Sequence, residues 1–309
     1  MPRGKAASMK LIVVVPAYNE AERIEETVRA LSGVRGGMRR IGVDFRVYVV
    51  DDGSIDNTGV LAAAAGADRV LRHKVNHGLG AAIRTGLSGA HRDGADIAVK
   101  FDADLQHDPN DIFELIKPIL DDAADVVYGN RFERIEYRMP LLRRAGNIVF
   151  TALMRFLTGW PLRDSQPGIF AVNRDYLDVF HIPGDYNYTQ QILLDACHKG
   201  MRFAHVPVRF RKRTTGRSFI SLKYPFKVSY QIFMVLVTAE PMRIFATIGI
   251  LFLAAAFLII GAELALFFLE YTPKPVQHVN AVLGLLFFGL QTFFFGVLAE
   301  LIIKSNKNR

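Results

Sequence analysis

Short apolar runs alternate with amphipathic stretches over residues 10 to 130. The runs KLIVVVP, FRVYVV and DIAVKF are rich in β-branched residues and predict strands that end near Pro16, Asp51 and Phe101. Further elements are predicted as helices over 20–31, 61–65 and 80–90 and as strands over 69–72 and within DVVYGNR. Nearly continuous apolar strands that alternate with helices are typical of a mostly parallel sheet covered by helices on both faces. The sequence therefore predicts an α/β domain with a Rossmann-like sheet.

Two apolar runs dominate the last part of the chain. Residues 244–269 contain one ionisable residue, Glu263, and residues 279–303 contain one, Glu300. Each run exceeds the roughly 20 residues needed to cross a bilayer, and neither carries the polar stripe of a helix at the edge of a soluble core. We therefore predict two transmembrane helices. Carboxylates are costly in lipid, so we expect Glu263 to face a neighbouring helix or subunit and Glu300 to lie near the interface.

Basic residues flank both predicted spans. Lys223, Lys227 and Arg243 precede the first span, and Lys304 and Lys307 follow the second, whereas the connector EYTPKPVQH is short and nearly neutral. The positive-inside rule then places the large domain and both termini in the cytoplasm. We predict three parts: an α/β domain over 1–220, an interfacial juxtamembrane segment over 221–242, and a two-helix anchor with a basic tail over 243–309.

The single cysteine restricts disulfide formation, and the number of spans bears on the oligomeric state. The single cysteine, Cys197, excludes an intramolecular disulfide and fits a reducing compartment. Two spans cannot enclose a channel, so we expect a homo-oligomer to supply further helix packing.

The formal net charge of +8 is concentrated just before the first span. No Asp or Glu occurs between Asp195 and Glu240, a stretch that is rich in Lys and Arg. Such a stretch beside a bilayer is suited to anionic lipid headgroups, and few aromatic residues are interleaved with it for base stacking. We expect a membrane partner and no nucleic acid.

A cluster of acidic residues follows the strand predicted to end at Phe101. The motif VKFDADLQHDP brings Asp102, Asp104 and Asp108 close together, with Gln106 between them. Carboxylates this close repel one another unless a cation lies among them. A divalent-cation site and a solvated acidic turn are both compatible with this spacing.

Polar residues also follow two other predicted strands. Tyr18 and Glu20 come after the first strand, and Asp51 and Asp52 end the second. Ligands of such sheets bind beyond the carboxyl ends of the strands. We therefore expect three acidic loops to converge on one edge of the sheet, which favours a ligand site over three separate acidic turns.

Two carboxylates separated by one residue are suited to Mg²⁺ or Mn²⁺. These ions keep water ligands and bind one or two carboxylates together with substrate phosphates, which fits Asp102 and Asp104 beside a nucleotide diphosphate. The cation would act as a Lewis acid that neutralises charge on a leaving diphosphate. A Zn²⁺ site is not expected, since the sequence contains no cluster of His and Cys ligands.

The glycine-rich motif NHGLGAAIRTG does not match the common nucleotide-binding fingerprints. Ile83 stands where the dinucleotide fingerprint requires its third glycine, and no P-loop motif is present. Gly78 and Gly80 leave two interpretations open: backbone amides that approach a phosphate, or a simple entry from loop to helix.

Six motifs occur in the order and spacing of family 2 glycosyltransferases: VVVPAYNEAERI, VYVVDDGSIDNT, VKFDADLQHDP, VVYGNRF, DSQPGIFAVNR and VPVRFRKRTTGRS. The chain resembles in particular the dolichyl-phosphate mannose synthase and bacterial polyprenyl-phosphate glycosyltransferase branch, over about residues 10 to 220. The resemblance implies a GT-A catalytic domain that transfers a hexose from a UDP- or GDP-sugar to a membrane polyprenyl phosphate. It also implies inversion at the anomeric centre and a requirement for Mg²⁺ or Mn²⁺.

The resemblance implies donor-side roles for seven residues. Positions that hold the nucleoside are matched by Pro16, Tyr18, Glu20 and Asp52, and the metal and diphosphate site is matched by Asp102, Asp104 and Gln106. Asp104 is thereby also a catalytic candidate.

Acceptor-side roles are implied for a second set. Arg131 and Arg213 match arginines near the transferred group and the phosphates, where a guanidinium fork can pair with two phosphate oxygens. The acceptor or sugar pocket has four candidate residues: Asp164, Gln166, Gln191 and Ser218. A tight-turn role for the QPG segment is an open alternative.

The sequence leaves the sugar and two rival functions open. Gln191 and Phe219 replace a Glu and a Lys of the mannose synthase pattern, so the hexose can be mannose, glucose, N-acetylglucosamine or another. A processive polysaccharide synthase would usually carry a Gln-x-x-Arg-Trp motif, which the only tryptophan, Trp160, does not form. A non-catalytic nucleotide-sugar-binding membrane module is disfavoured because both metal-site aspartates and both arginines are present.

Overall fold

The computed structural model describes residues 8–135, 141–182, 185, 188–211, 237 and 241–307. Contacts divide the chain into two compact units, Met1–Ser221 and Leu222–Arg309. The strands of the first unit are β1 (Met9–Ala17), β2 (Val43–Asp51), β3 (Arg69–Arg72), β4 (Ile97–Lys100), β5 (Val126–Ile135), β6 (Phe170–Asn173) and β7 (Phe203–Phe210). Its helices are α1 (Ile24–Gly33), α2 (Arg35–Arg40), α3 (Thr58–Ala64), α4 (Leu79–Arg92), α5 (Asp111–Leu120), α6 (Leu141–Thr158), α7 (Arg174–Val179) and α8 (Tyr188–His198).

One seven-stranded sheet, in the order β3-β2-β1-β4-β6-β5-β7, forms the frame of the first unit. β1 pairs in parallel with β2 and β4, and β5 pairs in parallel with β7. β6 runs antiparallel to both of its neighbours, β4 and β5. The predicted GT-A-like α/β class with a mostly parallel sheet is therefore confirmed. The reversed strand divides the sheet into a parallel half (β3-β2-β1-β4) and a mixed half (β6-β5-β7).

The central strands are held by burial of their β-branched side chains. All five residues from Leu11 to Val15 in β1 are fully buried. On one face the core includes Val13 together with Val28 of α1 and Leu115 of α5. Burial of each such side chain contributes about 1.5–3 kcal/mol relative to exposure. The run KLIVVVP thus forms the middle of the sheet and fixes where its polar carboxyl end emerges.

The first helix begins later than its predicted start at Glu20. Backbone N–H groups of Arg23 and Ile24 both donate to the Glu20 carbonyl oxygen, each at 2.9 Å, so residues 20–23 form a turn. The Glu20 N–H donates in turn to Thr58 Oγ1 at 2.9 Å. This long-range bond keeps Glu20 in the loop after β1, and α1 starts at Ile24.

The described part of the second unit contains two long helices, α9 (Pro241–Phe268) and α10 (Val279–Lys307). Both are long and apolar enough to cross a membrane. They approach closely at two glycines, since a Cβ on Gly249 would lie 2.7 Å from the carbonyl oxygen of Gly289. Glycine at this crossing allows backbone packing of the kind found between helices in lipid.

Glu263 of α9 faces the beginning of α10. Its carboxylate accepts hydrogen bonds from the backbone N–H of Gln277 at 2.8 Å and from Nδ1 of His278 at 2.5 Å. The N–H groups at a helix start lack partners within the helix. The Glu263 carboxylate therefore accepts hydrogen bonds at the start of the neighbouring helix, which agrees with its expected position facing that helix.

Several predicted positions lie outside the described residues. They are Arg213, Ser218 and, apart from Val237, Pro241 and Met242, the whole interfacial segment 221–242.

Candidate active site

A cavity of about 370 Å³ opens at the carboxyl ends of β1, β2 and β4. Its wall combines residues from three loops that were predicted to converge at this edge. The lining residues are Pro16, Ala17, Tyr18, Glu20, Asp52, Asn76, Gly78, Leu79, Ala82, Asp102, Ala103 and Asp104. The structure thus brings together six of the seven predicted donor-side residues.

Hydrogen bonds between the loops after β1 and β2 shape one wall of the cavity. Asn19, whose φ is 53°, donates its backbone N–H to Ser54 Oγ at 3.0 Å, and its side-chain oxygen accepts from the Ile55 N–H at 3.0 Å. Asparagine tolerates this left-handed conformation better than most residues. These two hydrogen bonds hold the loop with Tyr18, which is 44% exposed, at the cavity wall.

Asp52 fixes a third loop to the cavity. Its Oδ1 accepts from the His77 N–H at 3.0 Å and lies 2.6 Å from His73 Nδ1, and its Oδ2 accepts from the Gly78 N–H at 2.8 Å. A carboxylate has about four acceptor positions. Three are used here, so the cavity-facing Asp52 retains capacity for one further donor.

The two glycines of NHGLG have different structural reasons: Gly78 adopts a φ of 93°, and Gly80 packs closely against Asp185. The Gly78 N–H donates to Asp52, as described, and the Gly80 N–H donates to the Asp185 carbonyl oxygen at 3.3 Å. A Cβ on Gly80 would lie 2.6 Å from that same oxygen. Both amides therefore bind protein acceptors, which favours the loop-to-helix interpretation over a phosphate loop.

Asp102 and Asp104 follow β4 and line the opposite side of the cavity. Asp104 Oδ1 accepts from the Gln106 N–H at 3.1 Å, which stabilises a turn with Leu105 at a φ of 60°. Both carboxylates are half-buried. Their shared position provides oxygen ligands on the wall where a nucleotide diphosphate would need a cation.

Gln106 takes a different direction from the predicted metal site. Its side-chain Nε2 donates to the Arg211 carbonyl oxygen at 2.9 Å, and the Arg211 N–H donates back to the Gln106 carbonyl oxygen at 2.9 Å. Gln106 is buried and does not line the cavity. In this arrangement its side chain joins the acidic loop to the end of β7.

The carboxylate oxygens on the cavity wall are suitable ligands for Mg²⁺ or Mn²⁺ in an open site. Among the described residues, no group of three or more His, Cys, Asp or Glu side chains could enclose a metal ion. Two cavity-facing carboxylates suit a hard cation that also binds water and substrate phosphates. The same set lacks the nitrogen and sulfur ligands that Zn²⁺ prefers.

A buried lysine behind the acidic loop was not recognised from the sequence. Lys100, the last residue of β4, is fully buried, and its Nζ donates to Asp102 Oδ1 at 2.5 Å and to the Gly168 carbonyl oxygen at 2.7 Å. Burial alone would lower the pKa of Lys100, but the Asp102 carboxylate raises it above its usual value. The ammonium group is therefore charged. Its signal in the sequence was a lysine within the apolar run DIAVKF.

His107 and Gly168 pack beside Asp102, outside the lining of the cavity. Burial lowers the pKa of His107 to about 4, so the imidazole is neutral. Its ring packs against Phe210, with the ring centroids 5.1 Å apart. A Cβ on Gly168 would overlap His107 Nε2 and would lie 2.7 Å from Asp102 Oδ2. Gly168 does not adopt a left-handed φ, so close approach explains this glycine better than a tight turn.

Arg131 and Asp164 form a buried pair in the mixed half of the sheet. Arg131 Nε and Nη2 donate to the two Asp164 oxygens at 2.7 and 3.1 Å, and Asn147 of α6 also donates to Asp164 at 3.1 Å. Burial alone would raise the pKa of Asp164, but the guanidinium lowers it below its usual range. Asp164 is fully buried. It orients Arg131, while the cavity described above is lined by other residues.

The other predicted acceptor-side residues lie in the mixed half or outside the described residues. Gln166 is half-buried and its N–H donates to Asp164 Oδ1 at 2.9 Å. Gln191 is half-buried on α8. Neither lines the cavity. Arg213 and Ser218 are outside the described part of the chain.

Comparisons with known proteins agree with this fold. Residues 12–180 match the sequence profile of "Glycosyl transferase family 2". The chain is 29% identical to the UDP-N-acetylglucosamine–dolichyl-phosphate N-acetylglucosaminyltransferase of Methanococcus voltae, over 74% of this chain and 96% of that protein. It is also 29% identical to the polyprenol monophosphomannose synthase of Mycolicibacterium smegmatis, over 69% and 82% of the two chains.

A solved structure shows the same architecture with ligands. Glucosyl-3-phosphoglycerate synthase from Mycobacterium tuberculosis, in complex with Mn²⁺, UDP and phosphoglyceric acid, has a TM-score of 0.58 and 25% identity to this chain. The match covers 75% of this chain and 79% of that one. The same enzyme has also been solved with Mg²⁺ and UDP.

Proposed function

We propose that this chain, which belongs to glycosyl transferase family 2, transfers a hexose from a UDP- or GDP-sugar to a membrane polyprenyl phosphate. Its membership of the polyprenyl-phosphate glycosyltransferase branch follows from relatives that act on dolichyl or polyprenyl phosphate. The observation that carries the proposal is the cavity at the carboxyl ends of β1, β2 and β4, which collects a tyrosine and four acidic side chains. The sugar, the metal requirement and the stereochemistry are the parts that need direct tests.

The nucleoside end of the donor would bind at the loops after β1 and β2. Tyr18 offers an aromatic ring at the cavity wall, and Glu20 and Asp52 offer acceptors for ribose hydroxyls or a base N–H. Pro16 contributes backbone at the end of β1. These residues bind and orient the donor without taking part in bond breaking.

Asp102 and Asp104 would hold Mg²⁺ or Mn²⁺ at the diphosphate. When bound, the cation would neutralise charge that develops on the leaving diphosphate. The turn that joins Asp104 to the Gln106 N–H restricts the direction of the carboxylate, so the ligand oxygens are oriented before the donor arrives. A site oriented in advance stabilises the transition state at little reorganisation cost.

The transfer itself requires no strong general base. A phosphate oxygen of the acceptor attacks the anomeric carbon, the bond from that carbon to the diphosphate oxygen breaks, and the configuration inverts. The attacking phosphate is already an anion near neutral pH, so catalysis is mainly positioning and charge stabilisation. We assign the phosphate-binding roles to Arg131, which Asp164 orients, and to Arg213.

Both units have surfaces that suit an acceptor held in a membrane. The helices α9 and α10 would cross the membrane, and the Lys and Arg residues beside them favour a cytoplasmic catalytic unit with cytoplasmic termini. In the first unit, helix α6 exposes Ile148, Val149 and Phe156, and its sequence contains arginines but no acidic residue. Such a face suits a bilayer surface. Homo-oligomers would cover the remaining apolar surface of the two long helices.

Transfer of label to lipid tests this function. The full chain in detergent would be given radiolabelled UDP- and GDP-sugars, a short polyprenyl phosphate, and Mg²⁺, Mn²⁺ or EDTA. We expect one donor to give a chloroform-soluble product that is lost in EDTA, with α configuration converted to β. A long water-soluble polymer would instead indicate a processive synthase. Nucleotide binding with no transfer from any donor would indicate a binding module.

A further inference from the structure

Lys100 is an unusual residue for the centre of a sheet. It ends β4, which lies between β1 and β6, and its side chain is fully buried. Its Nζ donates to Asp102 Oδ1 at 2.5 Å and to the Gly168 carbonyl oxygen at 2.7 Å, and it lies 5.6 Å from the centre of the Tyr188 ring. All three partners come from different parts of the chain. The ammonium group is therefore surrounded without access to water.

Fold stability alone does not account for a charge at this position. Burial of an ammonium group is costly even when it is paired, and an apolar residue of similar volume often gives equal or greater stability. The partner carboxylate is not buried to the same degree, since the Asp102 side chain is 28% exposed and faces the cavity. Lys100 thus contacts Asp102, the proposed cation ligand, from the protein interior. The side of the Asp102 carboxylate that faces the cavity stays open.

We propose that Lys100 is a positioning residue that holds Asp102 and weakens the binding of the divalent cation, so that the cation leaves together with the nucleoside diphosphate product. This inference rests on the proposed metal-dependent transfer. With Oδ1 held by the ammonium group, a cation approaches Asp102 through its remaining lone pairs on the cavity side. The direction of that ligand is then set before the cation binds.

The charges explain why the cation would bind more weakly. Asp102 and Asp104 together carry two negative charges, and Lys100 compensates one of them. A positive charge that contacts a ligand carboxylate opposes the binding of a divalent cation to the same carboxylate, and at an effective dielectric constant of about 20 this repulsion corresponds to well over tenfold in affinity. When the protein binds the cation more weakly, a larger share of the cation's binding free energy in the complex comes from the diphosphate. A site of this kind binds the cation with the donor and releases it with the product.

Titration with Mn²⁺ alone tests the inference on the full chain in detergent. Free and bound Mn²⁺ would be separated by electron paramagnetic resonance for the wild type, Lys100→Met, Lys100→Arg and Lys10→Met. We expect Lys100→Met to lower the Kd for Mn²⁺ at least tenfold and Lys100→Arg to stay within about threefold of the wild type. Lys10→Met is the matched control, because Lys10 is a strand lysine that donates to the Asp93 carbonyl oxygen.

Product inhibition supplies a second measurement that a purely structural role would not change. In Lys100→Met, inhibition by the nucleoside diphosphate should strengthen with Mn²⁺ present, kcat should fall, and nucleotide binding in EDTA should stay unchanged. Unchanged or weaker Mn²⁺ binding in a folded variant would overturn the inference. If Lys100→Met does not fold, Lys100→Gln, which keeps a hydrogen-bond donor without the charge, must meet the same criterion. Absence of Mn²⁺ binding in both the wild type and Lys100→Met, with and without the nucleoside diphosphate, would instead overturn the metal dependence of the proposed function, and this inference with it.

Discussion

The parallel and mixed halves of the sheet differ in where their aspartates lie. At the ends of β2 and β4, Asp52, Asp102 and Asp104 line an open cavity. In the mixed half, buried aspartates are each paired with an arginine, as in Asp164 with Arg131, Asp125 with Arg202 and Asp111 with Arg209. The parallel half also holds a buried structural aspartate, Asp51, which lies 3.3 Å from Arg72 Nε, so this half is set apart by the carboxylates that line the cavity.

Strand direction explains where the cavity-lining carboxylates meet. Parallel strands deliver their loops to one edge, so the polar residues that follow β1, β2 and β4 meet beyond the sheet. The reversed strand β6 begins at Phe170, opposite Lys100 at the end of β4 and opposite Tyr128 of β5, and the segment with Asp164 and Gly168 leads into it.

Removal of a buried partner should have the largest effect. Asp164→Ala leaves the buried Arg131 guanidinium without its carboxylate, which we expect to lower the free energy of unfolding by about 3–5 kcal/mol. Chemical unfolding in detergent, followed by far-ultraviolet circular dichroism, would measure this. Asp44→Ala is the surface control, since its pair with Arg46 is largely solvated and should contribute below about 1 kcal/mol. Equal losses in the two variants would remove the contrast between the halves.

A ligand aspartate should show the reverse pattern. Asp104→Asn retains the size of the side chain but removes a charge from the cavity, so we expect at least a hundredfold loss of transfer, about 2.7 kcal/mol in activation free energy. The unfolding transition should not move. Sugar transfer to lipid and thermal unfolding would be compared with Asp121→Asn, which changes an exposed acid at the end of α5. Full activity of Asp104→Asn would contradict a role in cation binding.

Low pH should weaken the mixed half through His205. Burial lowers the pKa of His205 to about 4, from an ordinary value of 6.5, and its Nε2 accepts from the Arg163 N–H. The unfolded chain then binds more protons than the folded chain below pH 6.5, so stability falls as the pH decreases toward 4. We expect about 2 kcal/mol of loss from this group between pH 7 and pH 5.

Trp160 provides a local signal for that change. Its ring stacks on Phe203 at 4.8 Å, and Phe203 contacts His205 edge to face at 4.9 Å. Unfolding followed by tryptophan fluorescence at pH 7 and pH 5 should show a smaller pH effect in His205→Gln than in the wild type. His91→Gln, at an exposed histidine, should keep the wild-type effect. Identical pH effects in all three proteins would exclude His205 as the source.

The smallest predicted effect concerns the boundary between the halves. In Gly168→Ala the new methyl group would press on His107 and Asp102, and we expect transfer to fall about tenfold. Gly33→Ala is the control, because a Cβ there meets open space. Measured rates for the two variants would show whether the boundary transmits packing changes to the cavity. A wild-type rate for Gly168→Ala would contradict this.

Sequence patterns predicted the parallel half well because its information is local. The strand over 69–72 has the predicted bounds, and β1, β2 and β4 end within one residue of their predicted ends. The loops after β1, β2 and β4 meet at one edge as expected, since strand direction alone requires it. The polyprenyl-phosphate branch was predicted from the resemblance of six motifs to that family, and the relatives confirm it.

Long-range partners limited the prediction of the site. Gln106 is joined to Arg211, 105 positions away, and Lys100 to Gly168, 68 positions away. Neither partner is visible in the local sequence: the motif VKFDADLQHDP predicts Gln106 at the metal, and DIAVKF shows a lysine in an apolar run but not the groups that it contacts. The helix predicted to begin at Glu20 begins later because the Glu20 N–H donates to Thr58 Oγ1.

The turn between the two long helices has a consequence for how the protein is made. Glu263 belongs to the first helix, but the donors that satisfy its carboxylate, Gln277 and His278, are synthesised later. A charged side chain opposes insertion by about 2.5–3.5 kcal/mol at the centre of a spanning helix and by less near its end, where Glu263 lies. Membrane insertion of the first helix would therefore be most favourable once the second has left the ribosome, so that the two helices would enter together. The timing of translation then becomes part of the folding pathway of the anchor.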